Sequence, residues 1–214
     1  IHYSISGTGK PILLIHNCNA FGSDFEWRKL TESLSKNRTV YSLDLIGCGH
    51  SDKPVFTYTN FLFGQLINDF VMDIIGKRTD VAASGDSAAI ALFSQLYNQE
   101  LFDKILLVNP CAVHDHYDPT SKKGLFLKTL YNAPIIGTFS YYIATCRRHL
   151  LEKMLSEGYS DPNKIEKQDL QSMYLNAHRG GYPARYLYSS IKCTLTHMDV
   201  TKPLREINNS IYIV

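Results

Sequence analysis

The feature that most constrains the fold is a series of short, continuous apolar runs set among longer amphipathic stretches. PILLIH (residues 11–16) and KILLV (104–108) are continuous runs of this kind, and TVYSLDL (39–45), TDVAA (79–83) and SIYIV (210–214) read as further strands. An unbroken apolar run of this length is what a strand buried on both faces looks like, and such strands belong to sheets covered by helices. Between the runs, Asp24 to Ser35 places Trp27, Leu30 and Leu34 on one stripe, and Leu62, Leu66, Phe70 and Ile74 recur every fourth position. Both spacings predict helices, as does Ala88 to Asn98. Ile1 to Ile5 alternates as an edge strand should. Strands alternating with helices predict an α/β protein with a mostly parallel sheet flanked by helices.

After Asn109-Pro110 the character changes. Residues 111–203 are helical in pattern and rich in tyrosine, with no buried-strand run. They read as a helical insertion between a core at residues 1–110 and a return to the core at 204–214. The aromatic residues Phe126, Tyr131, Phe139, Tyr141, Tyr142, Tyr186 and Tyr188 serve equally to line an apolar pocket or to pack small helices together. The sheet pattern returns at SIYIV, where the 214 residues end. The expectation is that further strands and helices of the fold follow.

Composition excludes more than it assigns. Hydrophobic and charged residues make up 44% and 20% of the chain, which excludes a disordered one, and the net charge is +2. That balance, with only isolated basic pairs (Lys122-Lys123, Arg147-Arg148), excludes a sustained nucleic-acid-binding stripe. No run reaches the length of a membrane span. Five scattered cysteines without a C-x-x-C pair fit reduced thiols, hence a cytoplasmic compartment. Oligomeric state is not legible.

Three segments carry chemistry. His16-Asn17-Cys18 follows the strand PILLIH. Asp44-Leu45-Ile46-Gly47-Cys48-Gly49-His50-Ser51 follows the next strand. Gly85-Asp86-Ser87-Ala88-Ala89 lies between a predicted strand and a predicted helix. A nucleophile presented on a sharp strand-to-helix turn needs small residues two before and two after it, and Gly85 and Ala89 frame Ser87 in that way.

In this order and spacing the three segments resemble the α/β-hydrolase superfamily in its lidded, lipase-, esterase- and peptidase-like branch, and the resemblance covers essentially the whole chain. It implies an α/β-hydrolase fold with residues 111–203 as its helical lid. It implies Ser87 as the nucleophile, the backbone N–H groups of Cys18 and Ala88 as the oxyanion hole, and His16 and Asn17 as support of the oxyanion loop. Asn17 departs from the family, which has glycine after the histidine. The implied activity is hydrolysis of an ester or amide of a small, partly apolar molecule through an acyl-enzyme on Ser87, with no cofactor and no metal. The catalytic acid and base have no match at the family's positions, so the 214-residue chain alone is expected to be inactive. Asp115 and Asn109 lie where some members of the family place the acid.

Two rival functions follow from the same residues. One is a non-catalytic member of the fold that binds a ligand, a receptor or pseudoenzyme. The other is a metal hydrolase using His114, His116 and Asp118 from the His-x-His-x-Asp stretch. His50, His149, His178 and His197 are single in the sequence and read as surface or hydrogen-bonded residues.

Overall fold

The computed structural model describes residues 1–111, 122–158 and 161–214. The strands are β1 (Tyr3–Ser6), β2 (Lys10–Ile15), β3 (Arg38–Leu43), β4 (Thr79–Ser84), β5 (Phe102–Val108) and β6 (Ser210–Ile213). They form one sheet in the order β1-β3-β2-β4-β5-β6. β1 runs antiparallel to β3 at one edge, and every other pairing is parallel.

Alternation along the strands explains the two-sided core. Leu13, Ile15, Val81, Ala83, Ile105 and Leu107 pack on one face with Phe63, Ile67 and Phe70, while Leu14, Val40 and Ala82 pack on the other with Trp27. Leu13, Leu14 and Ile15 are fully buried in succession, which is why PILLIH lacks polar alternation. Each such side chain contributes about 1.5–3 kcal/mol by leaving water.

The first predicted helix begins as a 3-10 turn over Asp24–Trp27, where Ser23 Oγ accepts the Phe25 N–H, and continues as α1 (Arg28–Leu34). The second is α2 (Asn60–Asp69), capped by Thr59 and extended by a π-helical turn over Phe70–Ile75 to Gly76. α3 (Ser87–Tyr97) follows β4, and Ala88, Ala89, Ile90, Ala91 and Leu92 are all buried on it. A helix buried nearly all round is covered by sheet and neighbouring helices alike.

Between β5 and β6 the chain passes through α4 (Lys122–Asn132), α5 (Ile136–Ala144), α6 (Arg147–Lys153), α7 (Lys167–His178), α8 (Ala184–Lys192) and α9 (Thr201–Glu206). α7 opens with a reciprocal capping box between Glu166 and Asp169. Of the aromatic residues in this region, Tyr188 packs edge-on against both Tyr131 and Tyr141, and Phe126 and Phe139 are exposed. No helix among the described residues is long and apolar enough to cross a membrane.

Candidate functional site

The strand-to-helix turn stands above the C-terminal ends of the parallel strands, and its apex is Gly85. β4 stays paired to β5 through Ser84↔Val108, and the Gly85 N–H then donates to Val108 O at 3.1 Å. Gly85 takes φ +52, and Asp86 is already helical at φ −63, ψ −26. A positive φ is cheapest on glycine, because an L side chain there crowds the following carbonyl.

This corrects the placement of Ser87. It is not at the apex but two residues beyond it, as the first residue of α3, fully buried. Its hydroxyl donates to the His16 carbonyl at 2.6 Å, which ties the helix to the end of β2. The expected role of Ala88 shifts with it, since the Ala88 N–H donates to Gly85 O at 3.1 Å within the turn. Gly85 and Ala89 frame Ser87 in the sequence, but the observed turn runs from Ala83 to Ser87 about Gly85.

The apex has no side chain, and its surroundings leave no room for one. A Cβ on Gly85 would fall 2.5–2.6 Å from the Cγ, Nδ2 and Oδ1 atoms of Asn17. Asn17 Oδ1 accepts the N–H of Asp86 at 3.1 Å. That N–H stands at the helix start, where donors have no intrahelical acceptor and otherwise receive an anion. The departure at Asn17 noted in the sequence is thus in direct contact with the apex.

His16 is buried with both ring nitrogens engaged by main chain. Nε2 accepts the Leu45 N–H at 3.1 Å, so the proton lies on Nδ1, which donates to the Asn17 carbonyl at 2.8 Å. The Asn17 N–H donates to Glu26 Oε2 at 3.0 Å, and Glu26 also accepts the hydroxyl of Ser84. Cys18 is buried, and burial pushes its thiol well up from the ordinary range. A buried thiol held neutral does not act as a nucleophile. Asp86 accepts the Cys111 thiol at 2.7 Å.

Above the turn lies a cavity of about 490 Å³. The core contributes Asn17, Glu26, Ser84, Gly85 and Asn109 to its wall, and Met154 and the α7 residues Asp169, Met173 and Asn176 close it from the helical side. Asn109 sits just past β5 at φ +45, a conformation asparagine tolerates better than most residues. The helical side is clamped to the core by Arg28, which meets Asp169 at 2.5 Å and Glu166 at 3.3 Å, and by Asn176, which donates to Ser23 Oγ at 2.8 Å. His114, Asp115, His116 and Asp118 lie outside the described residues.

No protein-family model matches the chain. A soluble epoxide hydrolase of Corynebacterium sp. (strain C12) is 24% identical over 109 residues, 51% of this chain and 37% of that protein. A 2-hydroxy-6-oxo-6-(2'-aminophenyl)hexa-2,4-dienoic acid hydrolase of Metapseudomonas resinovorans is 28% identical over 114 residues, 52% of this chain and 39% of that protein. The chain therefore spans under two fifths of these curated relatives. Among solved structures, a serine hydrolase involved in carbazole degradation superimposes with a TM-score of 0.75 at 17% identity, over 99% of this chain and 73% of that one. An esterase from Exiguobacterium antarcticum gives 0.73 at 16% identity, over 99% and 75%. The fold is that of an α/β-hydrolase. Its relatives of known activity are hydrolases.

Proposed function

We propose that this chain binds a small, partly apolar molecule in the cavity above the sheet, without serine chemistry at the turn. The observation that carries the reading is the Asn17 amide standing in the space of a Gly85 side chain while accepting the Asp86 N–H. A nucleophile on a strained turn and a free N–H at the helix start are the two devices by which such folds form and stabilise an acyl intermediate. Here glycine occupies the first position and a side-chain amide covers the second. The cavity has the size of a small-molecule site, with asparagines, the acidic residues Glu26 and Asp169 and two methionines on its wall. We take the helices between β5 and β6, residues 111–203, as the lid.

A second reading is kept because the relatives are hydrolases. In it, a longer polypeptide supplies the catalytic acid and base, and Ser87 forms an acyl-enzyme with an ester or amide. That requires its hydroxyl to leave the His16 carbonyl and reach the cavity.

Labelling of the full-length protein with a fluorophosphonate probe separates the two. The binding reading expects no covalent adduct, together with ligand-dependent thermal stabilisation in a small-molecule screen that Met173→Trp abolishes by filling the cavity. An adduct lost in Ser87→Ala would overturn it in favour of the hydrolase.

A further inference from the structure

Two histidines far apart in the sequence meet at a buried carboxylate on the β1 edge of the sheet. His2 precedes β1, Asp44 follows β3, and His50 lies in the turn after it. His2 Nδ1 is 2.9 Å from Asp44 Oδ2, and His50 Nδ1 is 3.6 Å from the same oxygen. The two imidazoles face each other with centroids 4.9 Å apart. The three ligand atoms all lie within 4.8 Å of one another. None of the three residues lines the cavity described above.

The backbone beneath them is locked independently of the rings. The Asp44 N–H donates to the His2 carbonyl at 3.0 Å, and the His2 N–H donates to Ser51 Oγ at 2.8 Å. Ser51 Oγ in turn donates to the Asp44 carbonyl at 2.6 Å. The carboxylate itself is fixed by the Asp24 N–H on Oδ1 at 2.7 Å and the His50 N–H on Oδ2 at 2.9 Å. Gly49 is obligatory to this packing, since a Cβ on it would lie 2.4 Å from the Asp44 carboxylate. Asp44 has no solvent exposure, whereas the side chains of His2 and His50 are 42% and 48% exposed. A rigid, buried oxygen donor therefore has two half-exposed imidazoles beside it.

The geometry points to a site for a divalent transition ion of the zinc class, held by His2 Nδ1, Asp44 Oδ2 and His50 Nδ1, with solvent completing the coordination. Bond lengths near 2.0–2.2 Å put tetrahedral ligand atoms roughly 3.3–3.5 Å apart. The observed 2.9 and 3.6 Å bracket that separation for the two nitrogen–oxygen pairs, and the two imidazole donors lie within 4.8 Å of each other. Two nitrogen donors and one oxygen select borderline ions such as zinc, nickel or copper over calcium and magnesium, which take all-oxygen sites. In both rings the other nitrogen is left to solvent or an outer partner.

The test uses the full chain after chelator treatment and dialysis. Zinc chloride should raise its melting temperature in a saturable way. His2→Gln and His50→Gln, both half-exposed and so compatible with folding, should each weaken zinc affinity by at least the roughly 10–100-fold that loss of an outer-shell partner costs. Two further pairs serve as controls for other soft donors. The Cys146→Ser/His149→Gln protein removes a thiol and imidazole 3.3 Å apart, and His114→Gln/His116→Gln removes the other histidine pair. Both should bind zinc as the parent does. Copper(II) loaded into the parent should give an electron paramagnetic resonance spectrum with two imidazole nitrogens. No saturable zinc response, unaltered affinity in the His2 and His50 variants, loss of binding in either control, or a copper spectrum without two nitrogens would each overturn the site.

Discussion

The side-chain amide of Asn17 lies 2.5–2.6 Å from the point a Cβ on Gly85 would occupy, and its Oδ1 accepts the N–H of Asp86. The two positions are therefore coupled: a side chain can enter position 85 only where residue 17 is small. Gly85→Ser should destabilise the protein by about 2–4 kcal/mol through backbone strain and overlap. The Asn17→Gly/Gly85→Ser double variant should recover part of that loss. Chemical denaturation of all four proteins measures the coupling, and strict additivity would contradict the contact.

Ser87 acts in the fold as a tie between α3 and the end of β2. Ser87→Ala should lower stability by about 1–2 kcal/mol, because the His16 carbonyl loses a buried partner. Ligand-induced thermal stabilisation should be unaffected. A loss of binding without a loss of stability would place the hydroxyl in the cavity instead.

Arg28 joins the core to α7 through Asp169, whose side chain is only 9% exposed. Arg28→Ala removes the cation that meets this carboxylate and should cost about 1–3 kcal/mol, less than for a fully buried pair because Arg28 itself is partly solvated. Amide hydrogen exchange should quicken along α7 while the strands stay protected. Uniform quickening would show that the helical side does not open on its own.

Acid sensitivity should trace to Asp80. Burial alone would raise its carboxyl, but hydrogen bonds from Lys10 and Arg38 outweigh that and hold it below the ordinary carboxylate range. A depressed folded-state value means the stabilisation is present above the unfolded value, about pH 3.9, and is lost as pH falls through the folded one. Asp80→Asn should therefore be less stable than the parent near neutrality, with the difference shrinking below about pH 4. Melting temperatures across pH 2.5–7, taken as roughly the range that brackets both values, give the comparison, and a constant difference would refute it.

The chain's own pattern determined the architecture. Apolar runs such as PILLIH and KILLV pack on both faces of a strand, so their buried, parallel arrangement was legible without contacts, as were α2 from its four-residue spacing and the helical stretch before SIYIV. The departure at Asn17 was legible too, though not its consequence. Tertiary structure decided where the turn falls. Ala83 to Ser87 and Gly85 to Ala89 satisfy the same local demand for small residues, and what chooses between them is non-local. Pairing of Ser84 with Val108 carries β4 one step further, so the positive φ comes at Gly85 and Ser87 turns inward to His16. The meeting of His2 and His50 on Asp44 was hidden for the same reason. Residues 42 and 6 positions from Asp44 become neighbours only when β1 pairs antiparallel to β3 and the Gly49 turn folds back.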